Sequence, residues 1–444
     1  MKVMKPIVQG YLPDERPPIW KLILFAFQQI IVMFPATVGV ALLTGFHVST
    51  TIFASGLATL SFLIVTKGKI PLFYGSSFSY VAAIVSITGV AKIGEIAPDA
   101  LISQAQFGII MSGLVSIAAG LIINAFGSDK IEKVLPPTVT GSIAIVIGIS
   151  LAGYAISSAA GSGATGDAQN KAWVIALVTL LATMIFSVYL KGVWGQLPIL
   201  FGILVGYVLS AVLGVIDFKN IFGSEIITLP HFTLPTPSWA AVLAIMPIAI
   251  ATIPESTAHI YQLDIYVDHL AEQKGKKPYG IKNRLGWNLI GDGIGDMVSS
   301  MFGGPAGTNY GENISTMAIT RNFSVPVLGC AAVVTMIIAF FAPLSAAVNS
   351  IPGAVLGGMS VYLFGVIGAQ GIAIMISRKV DLFDSRNLAV ISSILVIGLG
   401  GNYAFPGGMI PFFGTKLPAI ATAALFGILL NLILGIGRNT ERKA

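Results

Sequence analysis

Five side chains stand out because the sequence around them is so apolar: Glu255, His259, Asp292, Asp296 and Glu312. Glu255 and His259 lie four apart in the apolar run 239–263, so on a helix they share one face. Pro247 and Pro254 in the same run distort that helix and free backbone groups beside Glu255. Glu312 opens a short stretch, 311–320, where the positive end of a helix dipole favours an anion. Asp292 and Asp296 are a second pair spaced by four, set among Gly291 and Gly293. Carboxylates in a dry site accept N–H groups strongly and directionally, and histidine exchanges protons near neutral pH. The set could therefore hold a donor-rich cargo and pass protons. Blander readings stand beside this one. Glu255 could bond a neighbouring helix, His259 could be a satisfied core histidine, and the aspartates could serve tight packing. His47, His231 and His269 fall in loops and receive no role. No metal site is expected, since no other His or Cys accompanies His259.

Composition supplies the solvent. Hydrophobic residues make up 55% of the 444 positions and charged residues 10%, with a mean hydropathy of +0.87. A soluble domain carries about 25% charged residues, so most of this surface must face lipid. The net charge of +6 is not clustered on a soluble domain, which argues against a nucleic-acid partner. Cys330 is the single cysteine, so no intrachain disulfide can form. Residues 1–17 are polar and Pro-interrupted, and the apolar run 19–44 is too long for a signal-peptide core. That run reads as a first span.

A membrane helix needs about 20 mostly apolar residues. Runs of that kind fall near 19–44, 49–66, 104–126, 136–158, 171–190, 195–214 and 239–263. Others follow near 284–302, 324–348, 351–377, 387–402 and 418–437. Two shorter runs, 76–90 and 311–320, follow Gly-rich extended stretches and read as half-helices. The expected fold is all-α and polytopic, with about fourteen segments and both termini on one side. Placing the termini inside puts 21 of the 25 Lys and Arg on the cytoplasmic side. Only Lys92, Lys171, Lys219 and Lys416 fall outside, a bias that fixes orientation.

The two half-helices resemble each other. Tyr74-Gly75-Ser76-Ser77-Phe78-Ser79 matches Tyr310-Gly311-Glu312-Asn313-Ile314-Ser315, with Pro71 and Pro305 upstream. Pro136 and Gly141 answer Pro352 and Gly357, and Leu197-Pro198 answers Leu417-Pro418. Each half holds an odd number of segments, so the second copy inserts upside down. Interrupted segments at matching places in inverted halves mark a transporter's binding site. Unwound backbone at membrane depth is tolerated only against protein or a wet cavity, and two helix starts there would offer amides to carbonyl oxygens. Read singly, either stretch could be a tight turn. No Lys or Arg occupies the middle of a span, which suits a neutral cargo with N–H donors. Uracil, with two N–H donors and two carbonyls, has that chemistry.

The segment Tyr310-Gly311-Glu312-Asn313-Ile314-Ser315-Thr316-Met317-Ala318-Ile319-Thr320-Arg321 resembles the signature of the nucleobase–ascorbate transporter family, and specifically its uracil permease branch. Glu312 is similar to the uracil carriers, where xanthine carriers usually have glutamine. Gly75-Ser76-Ser77-Phe78, the Glu255–His259 pair and Asp14-Glu15-Arg16 fit as well, and the likeness runs over nearly the whole chain. The resemblance implies a core domain, 1–130 and 237–349 (segments 1–4 and 8–11), and a gate domain, 131–236 and 350–444 (segments 5–7 and 12–14). It implies a proton-coupled symporter of the cytoplasmic membrane, often dimeric, without a cofactor. Glu255 and Glu312 would accept the base's N–H groups, and the amides of Phe78 and Gly311 would hold its carbonyls. Tyr310 would join the substrate-binding set and act with His259 through water, and His259 and Glu255 would serve proton coupling, with Gln29, Ser77, Asp292, Asn313 and Phe364 as accessory positions. Ser315 replaces a usual glycine, Gln29 stands where a histidine is common, and Pro254 directly precedes Glu255. Phe364 stands where some members have tyrosine.

Three other readings are weighed. A carrier of xanthine, urate or thymine differs only in the base. An anion exchanger of the same architecture needs a cation in the second half-helix, and an embedded enzyme needs a metal cluster or a nucleophile–base pair. Neither feature is seen in the sequence.

Overall fold

The computed structural model describes residues 10–127, 135–216, 225–412 and 415–436. Lys2, Lys5, Lys130, Lys133, Lys219, Arg438, Arg442 and Lys443, used above for orientation, lie outside them, as does the 130/131 domain boundary. The chain opens with an antiparallel pair, α1 (Ile19–Thr44) and α2 (Val48–Val65). Gly45 ends α1 at φ 78°, a left-handed cap suited to glycine. The strand β1 (Tyr74–Ser76) leads through a 3-10 turn, Phe78–Tyr80, into α3 (Val81–Thr88). Then come α4 (Asp99–Phe126), α5 (Pro137–Ser150), α6 (Ala152–Ala159), α7 (Gly166–Tyr189) and α8 (Pro198–Val212).

The second part begins with α9 (Trp239–Ile245), a 3-10 turn over Met246–Ile248, α10 (Ala249–Gln273) and α11 (Leu285–Met301). The strand β2 (Gly307–Asn309) leads into α12 (Gly311–Thr320). Next are α13 (Val325–Ile338), α14 (Ala342–Asn349), α15 (Gly353–Ser377) and α16 (Ser385–Leu395). A π-helical stretch, Val396–Gly400, joins α16 to α17 (Gly401–Ala404). A hairpin of β3 (Met409–Phe412) and β4 (Thr415–Pro418) precedes α18 (Ala419–Ile433).

Among the described residues, eight helices are long and apolar enough to cross a membrane, and four shorter apolar helices accompany them. Large apolar side chains such as Ile64, Val212, Trp239 and Ile376 are exposed, as a lipid-facing surface requires. Several expected spans are less regular than the hydropathy suggests. The run 136–158 is interrupted at Leu151, and 324–348 is two helices, the second with Pro343 in its first turn. The run 239–263 bends at the Pro247 turn and continues to Gln273. Hydropathy averages over such breaks because the flanking residues stay apolar.

Glycine lets the helix backbones touch. An added Cβ at Gly113 of α4 would lie 2.5 Å from the Gly293 carbonyl oxygen of α11, and one at Gly120 would lie 2.5 Å from that of Gly286. The same spacing recurs between α5 and α15. There a Cβ at Gly141 would meet the Gly371 oxygen at 2.7 Å, and one at Gly148 the Gly368 nitrogen at 2.4 Å. In lipid, where apolar burial gives helices no reason to associate, such close approach supplies the attraction.

An N-terminal strap completes the fold. Tyr11 N–H donates to the Arg321 carbonyl at 2.8 Å, and Phe323 N–H donates to the Tyr11 carbonyl at 2.8 Å. Lys274 and Lys276 pair with Glu15 at 2.6 and 2.9 Å. Partial burial pushes the Glu15 carboxyl up, but Lys274, the Leu12 N–H and Lys276 outweigh it and hold it at about 2.

Candidate functional site

The site forms where β1 and β2 cross. They pair antiparallel, with Tyr74 opposite Asn309, Gly75 opposite Thr308 and Ser76 opposite Gly307. Each strand runs straight into a short helix. Ser77 is the cap before Phe78, its Oγ accepting from Ser79 N–H at 3.3 Å, and Tyr310 is the cap before Gly311. Both caps are extended, so the chain turns from strand to helix at one residue in each copy. This corrects the register read from the sequence. The Tyr-Gly matches at 74 and 310 are not equivalent, because Tyr74 begins a strand while Tyr310 caps a helix. The equivalent first helical residues are Phe78 and Gly311, and the next are Ser79 and Glu312. Sequence identity favoured the Tyr-Gly match because it ignored where the backbone turns.

The crossing is held from behind by the two aspartates. Asp296 accepts from the Tyr74 hydroxyl at 2.5 Å and from Gly307 N–H at 2.7 Å, so one carboxylate grips both strands. Asp292 accepts from Asn309 Nδ2 at 2.9 Å, from Asn288 Nδ2 at 3.4 Å and from the Ser256 hydroxyl. Ser256 directly follows Glu255, so Asp292 links the strand crossing to α10. Both aspartates are buried, and their partners satisfy what would otherwise be a costly desolvation. The Tyr310 ring lies across Gly75, where a Cβ would be 2.4 Å away. Its hydroxyl donates to the Ser76 carbonyl at 2.9 Å and lies 2.9 Å from Thr37 Oγ1. Asn313 Nδ2 donates to the Gln29 carbonyl at 3.0 Å and to Gln29 Oε1 at 2.7 Å, bracing α12 against α1.

In front of the crossing is a cavity of about 780 Å³. Phe78, Glu255, His259, Tyr310, Gly311 and Glu312 all line it. Ser79 donates its hydroxyl to Glu255 Oε2 at 3.3 Å, which ties the first half-helix to α10. A Cβ at Gly311 would lie 2.9 Å from His259 Nε2, so the glycine lets the second half-helix approach the imidazole. Glu255, His259 and Gln262 form one stripe of α10 along the wall. Tyr362 and Gln370 of α15, and Arg378 just past its end, also line the cavity. Arg378 is the one Lys or Arg among the described residues lining the cavity. Two carboxylates, a histidine and two helix starts therefore line one cavity.

The accessory positions fall elsewhere. Gln29, Ser77, Asp292, Asn313 and Phe364 are buried and do not line the cavity. The first four support the elements that do, and Phe364 packs in an apolar cluster with Val40 and Met359. The sequence did not point to Ser79, Thr37 or Ser256. Small hydroxyls are common in apolar helices, and only their tertiary partners set these apart.

A family profile described as Permease family matches residues 20–407. The uracil permease of Bacillus caldolyticus is 36% identical over 427 residues, covering 95% of this chain and 94% of that protein. The uracil permease of Escherichia coli (strain K12) is 33% identical over 421 residues, covering 95% and 92%. Among solved structures, the murine Slc26a9 anion transporter in its inward-facing state superposes with a TM-score of 0.65 at 12% identity, covering 95% of this chain and 69% of that one. That likeness concerns the fold alone.

Proposed function

This chain belongs to the Permease family, and on that premise we propose that it imports a nucleobase, uracil above all, across the cytoplasmic membrane together with protons. It is a transporter and not an enzyme. One observation carries the binding mode: Glu255 and Glu312 face the same cavity as the first turns of both half-helices. Uracil's two N–H groups donate to the carboxylates, and its carbonyls accept from the amides of Phe78 and Gly311. No cofactor is called for. His259, one helical turn beyond Glu255, passes the coupling proton.

The full architecture in this reading has fourteen segments in two inverted sets of seven, with both termini cytoplasmic. The antiparallel pairing of β1 with β2 supports it, since inverted copies meeting at a crossing run in opposite directions. The core domain (1–130 and 237–349) carries the half-helices and α10, and the gate domain (131–236 and 350–444) supplies α15. Transport is the movement of one past the other across the cavity. Anion transport, named for the murine neighbour, is less well served, because neither half-helix carries a Lys or Arg into the cavity among the described lining residues.

The test is uptake of radiolabelled uracil by proteoliposomes. A pH gradient, acidic outside, should drive accumulation, and unlabelled uracil should compete better than xanthine or urate. Equal uptake on a sodium gradient without a pH gradient would refute proton coupling. Stronger competition by xanthine or urate would reassign the cargo.

A further inference from the structure

The loops on the face assigned to the outside bring together three residues far apart in the chain. His47 caps α2, Asp99 is the first residue of α4, and His231 lies in the segment ahead of α9. Their ligand atoms all lie within 4.8 Å of one another. His231 Nε2 is 2.8 Å from Asp99 Oδ2, His47 Nε2 is 3.6 Å from Asp99 Oδ1, and the two ring centroids lie 4.3 Å apart with the planes tilted by 45°. Sequence spacing hides the cluster, because each histidine looks like an isolated loop residue.

The geometry points to a metal site. We propose that His47, Asp99 and His231 bind a borderline divalent cation of the zinc type, through one nitrogen of each imidazole and a carboxylate oxygen. Two imidazoles and a carboxylate suit zinc and its neighbours better than magnesium or calcium, which prefer all-oxygen shells. Zinc bonds nitrogen at about 2.0–2.1 Å, so tetrahedral ligand atoms sit roughly 3.3 Å apart. The two histidine–carboxylate separations, 2.8 and 3.6 Å, already bracket that spacing.

A hydrogen-bonded cluster alone leaves one group unexplained. The buried Nε2 of His47 makes no hydrogen bond within 3.5 Å among the described residues, and its one partner, the Asp99 carboxylate, stays 3.6 Å away, long for a hydrogen bond. A cation between the three would satisfy it. The supporting backbone is also fixed. Thr50 Oγ1 donates to the His231 carbonyl at 2.7 Å. Two residues on, Thr233 donates to Gln106 Oε1 at 2.9 Å, and Gln106 Nε2 donates back to the Thr233 carbonyl at 2.9 Å. Gln106 lies seven residues after Asp99 on α4, so one helix presents the carboxylate and anchors the segment carrying His231. The Asp99 and His231 side chains are about half exposed, at 56% and 52%, and His47 is 21% exposed, so an ion can reach them. Three protein ligands leave a coordination position open, which makes the ion exchangeable.

The test uses the full chain on a histidine-free tag, stripped with chelator and titrated with zinc chloride by calorimetry. One ion should bind per chain, unaffected by millimolar magnesium. His47→Ala and His231→Ala should each weaken binding by more than the roughly 10- to 100-fold that losing a supporting residue costs, and the double variant should abolish it. Asp99→Asn, at an exposed position, should also weaken it. Uracil binding by each variant reports that it is folded. No zinc binding by the wild-type chain, or one-to-one binding that survives in the folded double variant, would overturn the site.

Discussion

A carboxylate and an amide differ at position 312 by one donor, and that difference tests what Glu312 does. Glutamine there can turn an N–H toward the base's own N–H. Losing one buried charge-assisted hydrogen bond costs about 1.5–3 kcal/mol, or roughly 10- to 200-fold in affinity. Glu312→Gln should therefore weaken uracil binding by that factor, measured calorimetrically on purified protein; affinity within twofold of wild type removes the residue from the binding set. Glu255 and His259 share one face of α10 but hold different proposed roles, so their variants should fail differently. Glu255→Ala should abolish equilibrium binding and uptake together. His259→Ala should keep measurable binding while uptake against a gradient collapses and its pH dependence flattens. Parallel loss of both activities, or an unchanged pH profile, would mean that His259 only packs against Gly311.

At the scale of elements, the helix pairs joined through glycine set rigidity. An added Cβ at Gly113 meets the backbone of Gly293 at 2.5 Å, whereas one at Gly329 in α13 meets nothing within 4 Å. Gly113→Val should force α4 and α11 apart and cost about 1–3 kcal/mol. Gly329→Ala should leave stability unchanged or slightly raised, with thermal unfolding in detergent measuring both. If the two variants melt alike, close backbone contact is not what holds α4 to α11. The elements also show what the sequence could convey. The pair at 255 and 259 was legible because one helical turn is a local property, and 311–320 because its boundaries are marked by Gly311 and Arg321. The roles of Asp292 and Asp296 were not. Their partners Tyr74, Ser256, Gly307 and Asn309 come from a strand crossing and a neighbouring helix, and local spacing carries no trace of a tertiary hydrogen bond. The register of the two half-helices was misread for the same reason, since the turn from strand to helix lies three residues beyond Tyr74 but at Tyr310 itself.

For the whole molecule, composition and basic-residue bias were enough to place it in a bilayer, because lipid tolerates few other surfaces. The break at Pro247 was legible from the proline itself, but the break at Leu151 and the hairpin 409–418 were not, since apolar residues continue through or around them. One feature of the cavity reaches further. Its carboxylates line a cavity in which Arg378 is the one Lys or Arg among the described residues, and the proposed cargo is neutral. Each uracil that enters with one proton then carries one net positive charge inward. A membrane voltage of 100 mV, negative inside, contributes about 2.3 kcal/mol per charge, or roughly fiftyfold accumulation. The same proteoliposomes, held at equal pH on both sides but polarised with a potassium diffusion potential, should concentrate uracil, and indifference to voltage would show that the cycle moves no net charge. On the proposed proton coupling, such a carrier would draw on the cell's electrical potential as well as its pH gradient, and would keep scavenging bases where the outside is no more acidic than the cytoplasm.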